Sequence, residues 1–206
     1  MNWIQAVLVS LTGYLIGSIH PSYLLAKYVK DIDIREHGTN NTGASNATIV
    51  LGWKYGIITG AIDIFKGLLA VVLASHVIAS GTHAAYLAGF FAIIGHMYPF
   101  YLGFRGGKGL ATVIGFFGGV NFFMAVGISA LLIVVSLITD YIVMGTVTFV
   151  ICFALYTINT FGLISFESAV ALTVAAMILV KHRTNYKRIW NKTETTLSSM
   201  YKKKDA

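Results

Sequence analysis

Apolar residues come in long unbroken runs separated by short polar stretches, the pattern of a chain that crosses a bilayer repeatedly. The runs predict helices near residues 3–26, 56–80, 84–102, 110–125, 126–139, 146–160 and 164–180. The stretch from Leu110 to Thr139 is too long for one comfortable span and short for two. It is therefore split near Gly119 to Asn121 into two thin or partly re-entrant helices. The predicted fold class is all-α: a polytopic integral membrane protein of about seven transmembrane helices, one domain over residues 1–206, with 181–206 as a basic tail. The run 3–26 has no basic stretch before it and no small-residue cleavage site closing it, so it is expected to stay as a span.

Composition agrees with that pattern. The chain is 56% hydrophobic and 11% charged, against about 25% charged in an ordinary soluble domain. A net charge of +7 is compatible with nucleic-acid binding, but hydropathy excludes that class, because the charges are confined to inter-helix stretches and the tail. All fifteen Lys and Arg except Lys66 fall in 27–55, 103–109 and 181–206, which lie on one side of the membrane when the spans number seven. The opposite loops around Gly81, Asn121 and Gly162 hold none. The positive-inside rule then places the N-terminus outside and the C-terminus in the cytoplasm. The run Tyr201-Lys202-Lys203-Lys204 is expected to attract anionic lipid. Cys152, the single cysteine, lies in an apolar run and has no partner for an internal disulfide.

Four polar clusters fall on the predicted cytoplasmic side. The first is Gly38-Thr39-Asn40-Asn41-Thr42-Gly43-Ala44-Ser45-Asn46, small and flexible in an otherwise apolar chain. Gly and Asn tolerate left-handed backbone angles, and successive N–H groups in such a turn can converge on an anion. A phosphate cradle and a plain connecting loop both fit. The second, Arg105-Gly106-Gly107-Lys108-Gly109 after Gly95-His96-Met97-Tyr98-Pro99, sets a lysine among glycines at a helix start, where open N–H groups and the helix dipole favour an anion. Glycines also stand at such starts merely to turn the chain. The third, Asp63 with Lys66, shares one helix face and reads as a structural ion pair or a functional one. The fourth is Lys181-His182-Arg183-Thr184-Asn185, where His182 and Asn185 share a helical turn. His20, His76 and His83 stand at span ends without a second ligand at metal spacing and read as interfacial or core histidines. No metal site, P-loop or nucleophile elbow is present in the sequence.

Taken in order, these motifs resemble a known family. Gly17-Ser18-Ile19 with Pro21, Asp33-Ile34-Arg35, the stretch Gly38 to Asn46, Leu51-Gly52-x-Lys54-x-Gly56, Asp63-x-x-Lys66-Gly67, Gly95-His96-x-x-Pro99, Gly106-Gly107-Lys108-Gly109-x-Ala111-Thr112 and His182-Arg183-x-Asn185 with Glu194 are similar to the bacterial membrane-embedded acyl-phosphate:glycerol-3-phosphate acyltransferases (PlsY type). The likeness runs from about Gly17 to Glu194. It implies a seven-helix enzyme of the bacterial cell membrane, with its active site at the cytoplasmic face. The implied reaction moves a fatty acyl group from acyl phosphate to sn-glycerol 3-phosphate and gives lysophosphatidic acid and phosphate, with no cofactor and no metal.

Carried over by position, Gly38, Thr39, Asn40, Asn41, Gly43 and Asn46 would hold the phosphoryl group of the donor. Lys108, His182 and Asn185, with Thr146 in place of a serine, would hold glycerol 3-phosphate beside Arg35, Gly106 and Gly107. Thr39 stands where the family usually has Ser, and Asn40 replaces a glycine. Ile49 stands where the family has an arginine, a loss of roughly 1.5–3 kcal/mol if that arginine touches phosphate. Thr184 replaces a glutamate. Three readings of Ile49 stay open: a weaker enzyme, compensation by a cation such as Arg35, or a different acceptor. Two rival functions are a transporter of small phosphorylated anions, which calls for polar groups at the bilayer midplane, and a catalytically impaired relative with an interaction role.

Overall fold

The computed structural model describes residues 1–202, with side chains described through Met200; Lys203 and Lys204 of the basic run lie outside the described residues. The chain is helical, with no strand among the described residues. It divides into two compact units, Met1–Phe122 and Phe123–Ala206. The first holds α1 (Trp3–Gly17), α2 (Pro21–Lys30), α3 (Ala44–Leu51), α4 (Trp53–Leu73), α5 (Thr82–Met97) and α6 (Leu110–Val120). The second holds α7 (Phe122–Thr139, from its second residue), α8 (Ile142–Phe161), α9 (Phe166–Lys181), α10 (Arg183–Trp190) and α11 (Leu197–Lys202).

Five segments are long and apolar enough to cross a bilayer: Trp3–Lys30, Trp53–Ile78, Thr82–Leu102, Phe122–Thr139 and Ile142–Phe161. α6, with 11 residues, and α9, with 16, are shorter than the roughly 20 that a full crossing takes. The break expected near Gly119 to Asn121 falls at Asn121. The first apolar run, expected to be continuous over 3–26, is interrupted at Ser18-Ile19-His20. Pro21 has no N–H to continue α1 and forces its predecessor out of the helical region, so His20 takes φ −117° and ψ 90°, and α2 starts anew with proline at its first position.

Close packing in the first unit depends on small residues. A methyl group on Gly13 or Gly17 would run into the α5 backbone at Ala88 or Ala92, so α1 and α5 meet backbone to backbone along a small-residue stripe. Gly95 meets α1 in the same way at Tyr14 and Ser18. Gly67 and Gly115 give the α4–α6 pair an equally close seam, against Thr112 and Ile64. A small apolar core of Ala26, Ile34 and Ala47, with Ile32, Val50 and Leu51 against it, joins α2, α3 and the 3-10 turn Ile34–Glu36. In the second unit α8 packs on α9, and Gly145 lets α8 approach Ser136 and Leu132 of α7.

Candidate active site

The polar stretch expected to be a loop through Asn46 ends at Gly43, and α3 begins at Ala44. The loop is held from within by asparagine side chains. Asn46, fully buried, accepts from the Thr39 N–H (2.6 Å) and the Thr39 hydroxyl (3.1 Å) through Oδ1. Its Nδ2 reaches the carbonyls of Asn41 (2.7 Å), Ile34 (3.0 Å) and His37 (3.1 Å). Asn41 closes a shorter ring, its Nδ2 donating to Thr39 O (2.9 Å) and its Oδ1 accepting from the Gly43 N–H (2.8 Å). Asn40 takes the left-handed conformation (φ 57°) that its place in the pattern demands and donates to Arg35 O.

Because side-chain amides supply these internal bonds, the start of α3 stays open. Its first intrahelical bond runs from the Ala47 N–H to Gly43 O (3.0 Å), and no side chain caps the helix. The N–H groups of Ala44, Ser45 and Asn46 therefore have no acceptor within the helix, and the positive end of its dipole lies at the same point.

The second glycine-rich segment is built differently. The Gly106 N–H donates to Met97 O (3.2 Å) and the Gly107 N–H to His96 O (2.9 Å). A methyl group on Gly106 would strike the His96 carbonyl, and one on Gly107 the His96 ring. Both glycines are there for close approach, and their N–H groups, expected to face an anion, are committed to α5. Gly109 (φ 96°) then starts α6, with half-buried Lys108 before it.

Beneath both segments runs a buried polar layer. Lys66 Nζ donates to Ile19 O (2.6 Å) and to His96 Nδ1 (2.9 Å) and is ion-paired with Asp63 Oδ1 (2.7 Å). An ammonium can only donate, which makes His96 Nδ1 the acceptor and puts the ring hydrogen on Nε2. Asp63 and Lys66 thus form a structural ion pair joining the α1–α2 break, α4 and α5. The His20 ring lies 5.3 Å from that of His96, and its Nδ1 is 2.8 Å from the Thr42 hydroxyl. Ser22 donates to Thr42 O (2.6 Å). His20 is thus a buried core histidine, one of the two readings its place at a span end allows, and its contact with Thr42 is what the sequence does not announce.

Arg35 forks onto Asp33 (2.6 and 2.9 Å) and donates to Leu102 O (2.5 Å). The guanidinium holds the Asp33 carboxyl below its usual value and is itself raised by it. It braces the loop against the turn before Gly103, so all of its nitrogens are engaged, which weakens the reading of Arg35 as a stand-in for the arginine that Ile49 replaces. In the second unit, buried His182 joins α9 to α10, and its Nδ1–H donates to Ile178 O (2.8 Å), leaving Nε2 the acceptor in the neutral ring. Asn185 Nδ2 and Arg188 Nε both donate to Glu194 (2.5 Å each), folding the chain after α10 back on itself. Buried Thr146 donates to Ile142 O (3.1 Å). Among the described residues no three His, Cys, Asp or Glu side chains gather as a metal site.

A polytopic helical membrane protein with an open helix start inside a polar loop, underlain by a buried ion pair, is the class these features define. Residues 7–192 match the family described as glycerol-3-phosphate acyltransferase. The glycerol-3-phosphate acyltransferase 1 of Oceanobacillus iheyensis is 42% identical over 205 residues, covering 96% of this chain and 98% of that relative. The glycerol-3-phosphate acyltransferase of Thermoanaerobacter pseudethanolicus is 36% identical over 196 residues, covering 93% and 96%. The crystal structure of PlsY, an integral membrane glycerol 3-phosphate acyltransferase, is similar in its glycerol 3-phosphate form with a TM-score of 0.85 and 29% identity, covering 93% of this chain and 95% of that one. Its lysophosphatidic acid form gives 0.83 and 28%, covering 95% and 96%. The chain belongs to the glycerol-3-phosphate acyltransferase family and is a membrane acyltransferase.

Proposed function

We propose that this acyltransferase takes its fatty acyl group from acyl phosphate and passes it to a hydroxyl of sn-glycerol 3-phosphate, giving lysophosphatidic acid and phosphate. The reaction runs at the cytoplasmic face of the bacterial cell membrane, in one seven-span domain with its N-terminus outside. The observation that carries the donor assignment is the open start of α3: three N–H groups with no intrahelical acceptor, in a loop whose shape is fixed by Asn41 and Asn46. Such a terminus suits a phosphoryl group. Asn46 and Asn41 act within the loop and Thr39 at its lip. The acceptor roles that the family resemblance assigns to Lys108, His182, Asn185 and Thr146 belong to the same proposal.

In the reaction the acceptor hydroxyl oxygen bonds to the acyl carbon while the acyl carbon–phosphate oxygen bond breaks. The hydroxyl proton ends on the departing phosphate, directly or by way of His182. The donor is already activated, so the protein needs no covalent nucleophile. Stabilising the departing phosphate and orienting the hydroxyl supply the rate. The test is transfer from synthetic acyl phosphate to labelled glycerol 3-phosphate by the folded protein in detergent, with lysophosphatidic acid expected. Folded protein that forms none sinks the proposal.

A further inference from the structure

We propose that His20 is a positioning residue that pins the phosphate loop to the buried ion-pair layer through the Thr42 hydroxyl. Position 20 carries no role in the family resemblance, and the α1–α2 break alone requires only the proline beside it. Thr42 is fully buried at the centre of the loop and is held at two points from one element: its hydroxyl by His20 Nδ1 and its carbonyl by Ser22. Ser22 could fix the backbone without His20. The imidazole also connects that anchor to the other side of the site, because its ring lies against those of His96 and Tyr101.

His96 in turn receives Lys66 at Nδ1 and the Gly107 N–H at its carbonyl. A continuous path therefore runs from Thr42 through His20 and His96 to the backbone that carries Lys108. Displacement of His20 lets the donor-side loop move while the lysine-bearing turn, bonded to α5 by its own backbone, stays in place. His20 thus acts on donor binding and on no proton of the reaction.

The experiment compares wild type with His20→Phe, His20→Asn, Thr42→Val and the double variant His20→Phe/Thr42→Val in detergent, by steady-state kinetics and by hydrogen exchange of the 38–46 backbone. Asn presents its side-chain amide where Nδ1 stood, so it keeps the bond to Thr42, whereas Phe keeps the ring and loses the bond. Loss of one buried hydrogen bond predicts about a fivefold to tenfold rise in donor KM for His20→Phe and for Thr42→Val. Acceptor KM should be unchanged, the double variant no worse than either single one, and donor KM raised in His20→Asn as well, because Asn keeps the Thr42 bond but loses the ring that meets His96. Loop exchange should rise by a similar factor in the same variants, with exchange in α1 and α5 unchanged.

Unchanged loop exchange in folded His20→Phe overturns the proposal, as do additive effects in the double variant or a wild-type donor KM in folded His20→Asn. The inference rests on the acyl phosphate reading for its kinetic arm only. Wild type that turns over no acyl phosphate while loop exchange responds as expected refutes that reading and leaves the pin standing.

Discussion

Two segments of the first unit look alike on paper and work in opposite ways. Residues 38–43 and 103–109 are both rich in glycine, and each leads into a helix. In the first, asparagine side chains supply the internal bonds and the backbone N–H groups at the start of α3 are left over. In the second, the Gly106 and Gly107 N–H groups bond to α5, and glycine is needed there because His96 occupies the space that a side chain would fill, while the start of α6 itself is as uncapped as that of α3. The lesson is that glycines ahead of a helix start can serve close approach to a neighbouring helix, while asparagines in such a turn can supply the bonds that hold it. The first segment is held by its own asparagines; the second is a rigid mount, bonded to α5, for the turn that carries Lys108.

The largest effect should come from the charge on that mount. Lys108→Ala is expected to keep the fold and lower transfer about a hundredfold or more, the range seen when one electrostatic stabiliser is removed; full activity in folded protein takes Lys108 out of the site. Next, the two glycines should part company. Gly107→Ala forces a methyl group into the His96 ring and should destabilise the protein by about 1–3 kcal/mol, read as a lower thermal midpoint. Gly43→Ala pushes only on the Asn41 amide, away from any helix seam, and should cost less stability than Gly107→Ala while loosening the loop and raising donor KM about fivefold. If the two glycines exchange these outcomes, the comparison fails.

A smaller effect is expected one helical turn beyond the open terminus. Ile49→Arg should lower acceptor KM by up to about tenfold, the worth of one charge-assisted bond to phosphate. A fall in activity would show that this chain has settled on a ligand set without that arginine. The smallest effect belongs to the brace between the segments. Arg35 holds the Asp33 carboxyl low, so the pair's contribution is complete above the unfolded carboxylate value near about pH 4 and fades as pH falls through the lower folded value. About 0.5–1 kcal/mol should be lost on acidification of wild type, and Asp33→Asn should lack that loss in the same thermal melts.

Much of the helical framework was legible because apolar length is a strong signal: the runs at 84–102 and 146–160 reappear as α5 with its trailing turn and as α8, extended by a few residues. The helix start at Ala44 was hidden by Ser45 and Asn46, which read as loop residues when the internal role of Asn46 is unknown. Gly106 and Gly107 show why glycine is ambiguous in sequence, since close approach, which the structure shows, and anion binding ask for the same residue. His20 was dismissed as a span-end histidine because its partners, Thr42 and His96, are distant in sequence and no local spacing announces them.

The glycine and alanine stripe between α1 and α5 bears on how the protein is made. α1 is translated before the face it needs; Ser18 and Tyr101, which bond beside the seam, are 83 residues apart. A stripe without side chains offers little grip to a wrong neighbour in a bilayer, where association depends on close packing. α1 is therefore expected to wait in the membrane as a lone helix until α5 inserts. His20 can reach its place beside His96 only then, so the loop at 38–43, though made before α5, takes its final shape only after it.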